Sequence, residues 1–554
     1  MTTASTSAAL DTPTLDTPIL DTPSRPPHVG VPAGITNPAS GVSTARQSLP
    51  DAAHIVVIGS GFGGLAAAVR MRAKGYRVTL LERGSRLGGR AQVFERGGFR
   101  HDAGPTVITA PFLFDELFEL FGKKREDYVK FVPLRPWYRF YYQDGTTFDY
   151  GGTIEDTLAE IRRYEPADCD GYLRLVEHSR KMFDAGFTRL ADQPFHKIST
   201  MLAEIPTLGR LRADQTVWQM VTRHIKHPKI REAFSIQPLL VGGSPFDTTS
   251  IYGLIHFLER KWGVWFAMGG TGAIVSGMER LMREEGVDIR LGATVSQIET
   301  TTGGGRPRVT GVRLEDGTVI PADMVVSNAD PVHMYGEMLP EAKKPLALKV
   351  KQRSRKSMGL FVLYFGTRKA YPDVAHHTIW LGSRYRELLD EIFNKKVLAD
   401  DFSLYLHRPT ATDASFAPPG CESFYVLCPV PNLDGGQDWA VEGPKLRQRV
   451  IAALDRTILP GLTQEIVEDF YMTPVDFKHD YLSPAGAGFS ISPHFTQSAW
   501  FRFHNKSEAV DGLYLVGAGT HPGAGMPGVL CSAKVIDRLV PALAGSPATK
   551  SGPG

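Results

Sequence analysis

Ile55-Val56-Val57-Ile58-Gly59-Ser60-Gly61-Phe62-Gly63-Gly64 is the stretch on which the fold of this chain turns. Four consecutive β-branched residues suit a strand buried on both faces of a parallel sheet. Gly59 permits a tight exit from that strand, Gly61 lets backbone approach a pyrophosphate, and Gly64 allows close helix–strand packing. Residues 65–74, rich in Ala, Leu, Met and Arg, predict a helix whose N-terminal amides and dipole would hold the phosphates. Residues 77–81 predict the next strand. It ends at Glu82, 18 residues after Gly64, where a carboxylate can accept hydrogen bonds from both hydroxyls of an unphosphorylated ribose. Strand, glycine turn, helix, strand and acidic residue together predict a Rossmann-like dinucleotide site.

Outward from this unit, Arg83-Gly84-Ser85-Arg86-Leu87-Gly88-Gly89-Arg90 offers a second backbone-rich approach to phosphate, with Arg90 able to offset its charge. A nicotinamide site needs no such addition, because that cofactor leaves after each turnover. An Arg-rich surface loop is the plain alternative. Asp102-Ala103-Gly104-Pro105-Thr106 adds a further glycine-centred turn. Residues 153–290 have a helical pattern, with turns expected at Pro194, Pro206 and Pro228. A buried strand leading into a loop is expected over 322–329, short β-like runs recur between 358 and 430, and 513–516 returns to the buried-strand pattern before a last helix over 529–539.

The expected organisation is α/β. A Rossmann-like dinucleotide-binding domain is assembled from 51–150 (with the start of the substrate lobe), 281–340 and 505–545. Inserted into it are a mainly helical substrate or membrane lobe (151–280) and a mixed-sheet substrate domain (341–504). Residues 1–50, with the pentad Leu-Asp-Thr-Pro-x from Leu10, Leu15 and Leu20, are expected to be a disordered tail, and 546–554 a flexible C-terminus. No basic start followed by an apolar run marks a secretory signal.

Of 554 residues, 42% are apolar, enough for large cores, and 62 Lys and Arg against 59 Asp and Glu leave a formal net charge of only +3. That balance gives no footprint for nucleic acid. The four cysteines, Cys169, Cys421, Cys428 and Cys531, are scattered, which suits a reducing setting. No window approaches the ~18 apolar residues of a spanning helix.

Asp511-Gly512-Leu513-Tyr514-Leu515-Val516-Gly517-Ala518-Gly519-Thr520-His521-Pro522-Gly523-Ala524-Gly525-Met526-Pro527-Gly528-Val529 resembles the closing signature of bacterial-type phytoene desaturases, the carotenoid branch of the FAD-dependent amine oxidase and protoporphyrinogen oxidase superfamily. The resemblance continues in 103–109, 262–266, 269–273, 361–366, 425–427 and 497–502, and so spans almost everything after residue 54. It implies FAD as cofactor, with Gly59, Gly61, Gly64, Glu82, Gly89 and Arg90 on the ADP half, Val295 of the run 293–295 at the adenine, and Gly519 and the turn through Met526 beside the flavin ring. It implies desaturation of phytoene, giving neurosporene or lycopene in carotenoid biosynthesis. A desaturase of hydroxylated carotenoids, a carotenoid isomerase and, from another class, a carotenoid-binding protein with structural FAD stand as alternatives.

Dehydrogenation of a carbon–carbon bond removes a hydride and a proton, and no residue stands out as the acid or base. His521 is the one candidate for a catalytic role, with local hydrogen bonding as its alternative. Some relatives carry an Asp and, three residues later, an Arg at a helix start; here Thr200 and Ala203 stand at those places, and neither can do that work. His376-His377 and His479 have no spacing that requires a metal, so none is expected. The acceptor of electrons is expected to be oxygen or a membrane quinone. Phytoene dissolves in bilayers, so peripheral, monotopic attachment to the cytoplasmic side of a membrane is expected. Residues 236–266 are the candidate surface, with Trp262 and Trp265 at the interface and Glu259-Arg260-Lys261 at the headgroups.

Overall fold

The computed structural model describes residues 53–301, 305–339 and 344–546. The expected tail 1–50 and the C-terminus beyond Ser546 lie outside the described residues.

A five-stranded parallel sheet carries the site. His54–Ile58 lies at its centre, flanked by Arg77–Leu81 and then Asp288–Arg290 on one side, and by Met324–Ser327 and then Leu513–Leu515 on the other. The β-branched run is fully buried, as a central strand covered on both faces must be. Helix Phe62–Ala73 covers one face and packs on the last helix, Met526–Leu539. Segments far apart in sequence thus assemble one sheet, and everything between them is inserted. Asp288–Arg290, three residues with two charges, carried no strand signal; it is held by pairing with 79–81.

The second sheet has seven strands in the order Ile466–Met472, Gly359–Thr367, Glu422–Val430, Leu404–His407, His377–Trp380, Tyr138–Tyr141 and Thr147–Tyr150. All neighbours are antiparallel except Tyr138–Tyr141 against His377–Trp380. One face packs on the helical segments between 153 and 262, making the large aromatic and aliphatic core that includes Phe140, Phe148, Tyr172 and Phe234. Pro206 does not end a helix as expected but lies inside Ile198–Arg210. The hydrogen bond it forgoes would have gone to the carbonyl of Leu202, an exposed residue that water can serve. Pro228 instead opens the helix Pro228–Ser235, where its missing N–H costs nothing.

Residues 236–266 do not form the outward surface expected of them. His256, Leu258 and Glu259 of helix Leu254–Trp262 are buried, as are Val264 and Phe266, while Leu254, Phe257, Trp262 and Trp265 are half-buried. Glu259 accepts a 2.9 Å hydrogen bond from Tyr138, and Arg260 reaches the carbonyls of Gly152 and Thr153 and lies over Trp137. Inward partners hold two of the three charges, so they are not arranged for headgroups. Among the described residues no helix is long and apolar enough to cross a membrane.

Candidate functional site

Gly59, with φ of +85°, leaves the central strand and is tied by its N–H to the carbonyl of Leu81 at 2.8 Å. A Cβ on Gly64 would stand 1.9 Å from the carbonyl oxygen of Gly59, so helix and strand meet at a distance that only glycine permits. Gly61 is the N-cap of the helix, with extended backbone. Gly89, with φ of +55°, comes up against it: a Cβ there would lie 3.4 Å from Gly61 Cα. The two glycine turns expected to approach phosphate therefore line one mouth.

Glu82 is buried at the end of the neighbouring strand. Its Oε2 accepts from the backbone N–H of Ser60 at 2.9 Å and from its hydroxyl at 2.6 Å, and its Oε1 accepts from the N–H of Gly84 at 2.8 Å. The carboxylate thus fastens the first glycine turn to the second and keeps lone pairs for a ribose. Val295 lies close by, because the N–H of Ala293 donates to the carbonyl of Glu82 at 2.8 Å. Arg90 donates to Ser483 at 3.1 Å and lies over the ring of Tyr481, while its Nε has no partner among the described residues. Burial pulls this guanidinium below its ordinary range, with Asp330 opposing. An unsatisfied buried donor beside bare glycine backbone is suited to an anion.

Asn328, at the end of Met324–Ser327, was not singled out from the sequence. Its side chain occupies the angle between three glycines: Cβ atoms on Gly61, Gly63 and Gly517 would stand 2.9, 2.6 and 2.7 Å from its amide. Its signal was its place after a buried strand, the same place that Gly59 holds after the first.

The C-terminal turn closes the mouth. The N–H of Gly517 donates to Ser532 at 2.9 Å, and Gly519 passes so near Pro331 that a Cβ would meet it at 2.3 Å. Gly525 caps the helix Met526–Leu539, whose first turn carries no acidic residue and begins with buried Met526 and Pro527. His521 lines the same space. Its Nε2–H donates to the carbonyl of Leu190 at 3.1 Å, Nδ1 has no partner among the described residues, and burial lowers its pKa to about 4. The ring is therefore a neutral group held in place, and its titration does not fall near neutral pH.

These elements line one end of a cavity of about 610 Å³. Its other end runs between the helical lobe and the second sheet, with walls that include Leu239, Leu240, Ile251, Leu254, Ile379 and Leu427. Thr106, Tyr405 and Tyr425 on these walls satisfy one another. Thr106 Oγ1 meets the hydroxyls of Tyr405 at 3.0 Å and Tyr425 at 2.7 Å, and Tyr425 donates to the carbonyl of Gly104 at 3.0 Å. Burial raises both phenols above the ordinary tyrosine range, so they stay protonated. Glu259 also lines the cavity, and burial raises its carboxyl to about 8 against the opposing hydrogen bond from Tyr138.

Helix Ile198–Arg210 is a wall with two sides. Met201, Glu204, Thr207 and Leu208 line the cavity, and Glu204 pairs with Arg189 at 3.1 Å. Ile198, Leu202 and Ile205, spaced as one helical face, are 53, 56 and 53% exposed. Phe495, which also lines the cavity, is 41% exposed. Thr200 and Ala203, where some relatives carry charges, are half-buried and exposed, and neither lines the cavity.

Comparison with known proteins fits this geometry. Residues 62–535 match the family model described as flavin containing amine oxidoreductase. The chain is 49% identical over 490 residues to a phytoene desaturase (lycopene-forming) of Pseudescherichia vulneris, covering 88% of this chain and 98% of that one. It is 44% identical to a neurosporene-forming phytoene desaturase of Rhodobacter capsulatus, over 88% and 93% of the two chains. Among solved structures, an oxidoreductase from Methanosarcina mazei superimposes with a TM-score of 0.61 at 17% identity over 88% of this chain and all of that one. A putrescine oxidase triple mutant does so at 0.59 and 12%, over 88% and 98%. At these identities the solved structures show the fold alone: a Rossmann-like domain with a mixed-sheet insertion and a helical lobe.

Proposed function

The chain belongs to the phytoene desaturase family within the flavin containing amine oxidoreductases, and from that premise we propose that it desaturates phytoene stepwise to neurosporene or lycopene. The observation that carries this reading is the continuity of one cavity, from the glycine turns at the sheet end to a mainly apolar chamber between the helical lobe and the second sheet. An apolar chamber suits a hydrocarbon, whose affinity comes from area removed from water at about 25 cal/mol per Å².

The glycine turns, the unsatisfied Arg90 Nε and the bare helix N-termini fit a flavin dinucleotide. Gly59, Gly61, Gly89 and Arg90 would hold its pyrophosphate, with Gly64 seating the helix behind them, Glu82 its ribose, Val295 its adenine, and Gly519 and Met526 its ring. FAD when bound supplies the acceptor for the hydride that desaturation removes. The protein's own share is orientation. The apolar walls align the carbon pair with the glycine end, and the protonated Tyr405 and Tyr425 present no base to it. Thr200 and Ala203 stand where some relatives carry an Asp and an Arg, and His521 is a poor base. Proton loss is left to water or to another group, with positive charge spread along the neighbouring polyene. Oxygen or a membrane quinone would take the electrons onward.

The substrate's solubility and the exposed apolar face of Ile198–Arg210 support peripheral attachment to the cytoplasmic side of a membrane through that face. Only the thickness of one helix separates it from the cavity, and exposed Phe495 stands beside it.

The test is incubation of the purified protein with FAD and phytoene in lipid vesicles, followed by chromatographic separation of the carotenoids. Appearance of neurosporene or lycopene is expected. Unchanged phytoene, with FAD bound, would overturn the reading, and turnover of a hydroxylated carotenoid alone would transfer the assignment to that substrate class.

A further inference from the structure

His376-His377 and His479 have no spacing in sequence that requires a metal. The second sheet brings another histidine, His407, to the first two. His377 pairs in register with His407 across the antiparallel strands His377–Trp380 and Leu404–His407. His376, just before the first strand, turns to the same side. Ring centroids of the three imidazoles are 4.6 to 5.4 Å apart, and one nitrogen from each lies within 4.8 Å of the others. All three side chains are almost fully buried, His376 at 6% exposure and the others at 0%.

Their hydrogen bonding is lopsided in a way that points inward. His376 Nδ1 is engaged by Thr412 Oγ1 at 2.7 Å, and His377 Nδ1 by the hydroxyl of Tyr405 at 2.7 Å. The Nε2 atoms of both, and both nitrogens of His407, have no partner among the described residues. Asp102, fully buried, spends Oδ1 on the N–H and hydroxyl of Thr271 at 2.9 and 3.0 Å. Its Oδ2 has no hydrogen-bond partner and lies 3.7 Å from His407 Nε2. Arg408, the neighbouring cation, turns away to the carbonyl of Tyr371 and to Glu422. Several unsatisfied buried polar atoms facing one another are costly to fold unless something joins them.

We propose that His376, His377 and His407 form a buried zinc site, with Asp102 beside His407 to orient its ring. Three imidazoles make a nitrogen set that zinc accepts. Zinc–nitrogen bonds of about 2.1 Å require the three nitrogens, now within 4.8 Å of one another, to draw together on binding. The outer hydrogen bonds of Thr412 and Tyr405 orient two of the rings, as partners of metal-bound histidine do. Three histidine ligands leave a fourth position open, but none of the three lines the cavity, so the site would be structural. Through His377 it would fix Tyr405, and so the hydroxyl network of Thr106 and Tyr425 on the cavity wall.

The test is elemental analysis of the full-length, FAD-loaded protein after dialysis against a chelator, which a buried site resists. About one zinc per chain is expected, falling below about a tenth in His407→Ala that still holds FAD. Wild type carrying less than about a tenth of a zinc, or His407→Ala retaining it, would overturn the proposal. A second measurement does not depend on the variant. Wild type from cells grown with cobalt in place of zinc should absorb at wavelengths beyond the flavin band, through the d–d transitions of four-coordinate cobalt. Flavin absorption alone, with no cobalt retained, would also overturn it and leave water as the occupant.

Discussion

Replacing Gly64 with alanine should damage cofactor binding more than any other single methyl in the first glycine turn. The added Cβ would stand 1.9 Å from the carbonyl oxygen of Gly59, where an ordinary carbon–oxygen contact is about 3.3 Å. Gly59 cannot yield easily, because its N–H is held by Leu81 at 2.8 Å in the next strand. The helix Phe62–Ala73 must therefore move by about 1.4 Å, carrying the N-terminal amides with it. Overpacking of this kind costs about 1–3 kcal/mol, offset by about 1 kcal/mol from alanine's better helix propensity. Displacing positioned groups by more than about 1 Å costs about 100-fold, or about 2.7 kcal/mol of binding. Gly209→Ala is the internal control. Its Cβ would meet nothing within 4 Å, and it lies outside the cofactor mouth, so affinity within about twofold of wild type is expected. FAD titration of the deflavinated proteins, followed by quenching of tryptophan fluorescence, reads both. Affinity of Gly64→Ala within about twofold of wild type, or Gly209→Ala proving the worse of the two, would refute the reasoning.

Three further outcomes are expected. Glu259 has its carboxyl raised to about 8 from 4.5, so the folded chain binds its proton more tightly than the unfolded one. Its contribution to stability is therefore fully present below about pH 4.5 and falls as pH rises towards 8, by at most about 1.4 kcal/mol per pH unit. Glu259→Gln should flatten that decline in denaturation curves, and an unchanged slope would contradict the assignment. His521→Gln keeps a donor for Leu190 and should retain FAD and turnover within about threefold; a loss of about 100-fold or more with FAD still bound would make His521 a catalytic base. Changing Leu202 and Ile205 together to Asp should abolish flotation with vesicles of anionic lipid while FAD stays bound. Flotation equal to wild type would place the attachment surface elsewhere.

The parallel sheet was legible because a strand buried on both faces leaves an unbroken β-branched run, and the glycine turn after it has few other uses. Strand Asp288–Arg290 was not, since three residues with two charges are recruited by pairing alone. The glycines and Glu82 could be named from spacing. Asn328, which fills the angle between three of them, could not, because its role depends on strand order in the sheet. The membrane surface was misplaced for a similar reason. Alternating apolar and charged residues over 254–266 look alike whether the charges meet water or, as with Glu259 and Tyr138, a partner from a distant strand. His407 joins His376 and His377 only through register, which no local pattern announces.

The account stands most directly on one anaerobic measurement. Phytoene in lipid vesicles is added, without oxygen or any other acceptor, to the FAD-loaded protein, and absorbance of the oxidised flavin is followed while the carotenoids are quantified. Bleaching of the band, with one new carbon–carbon double bond formed per flavin reduced, is the expected result. A band that stays unchanged while phytoene demonstrably binds would contradict the account and leave a carotenoid-binding protein in place of a desaturase.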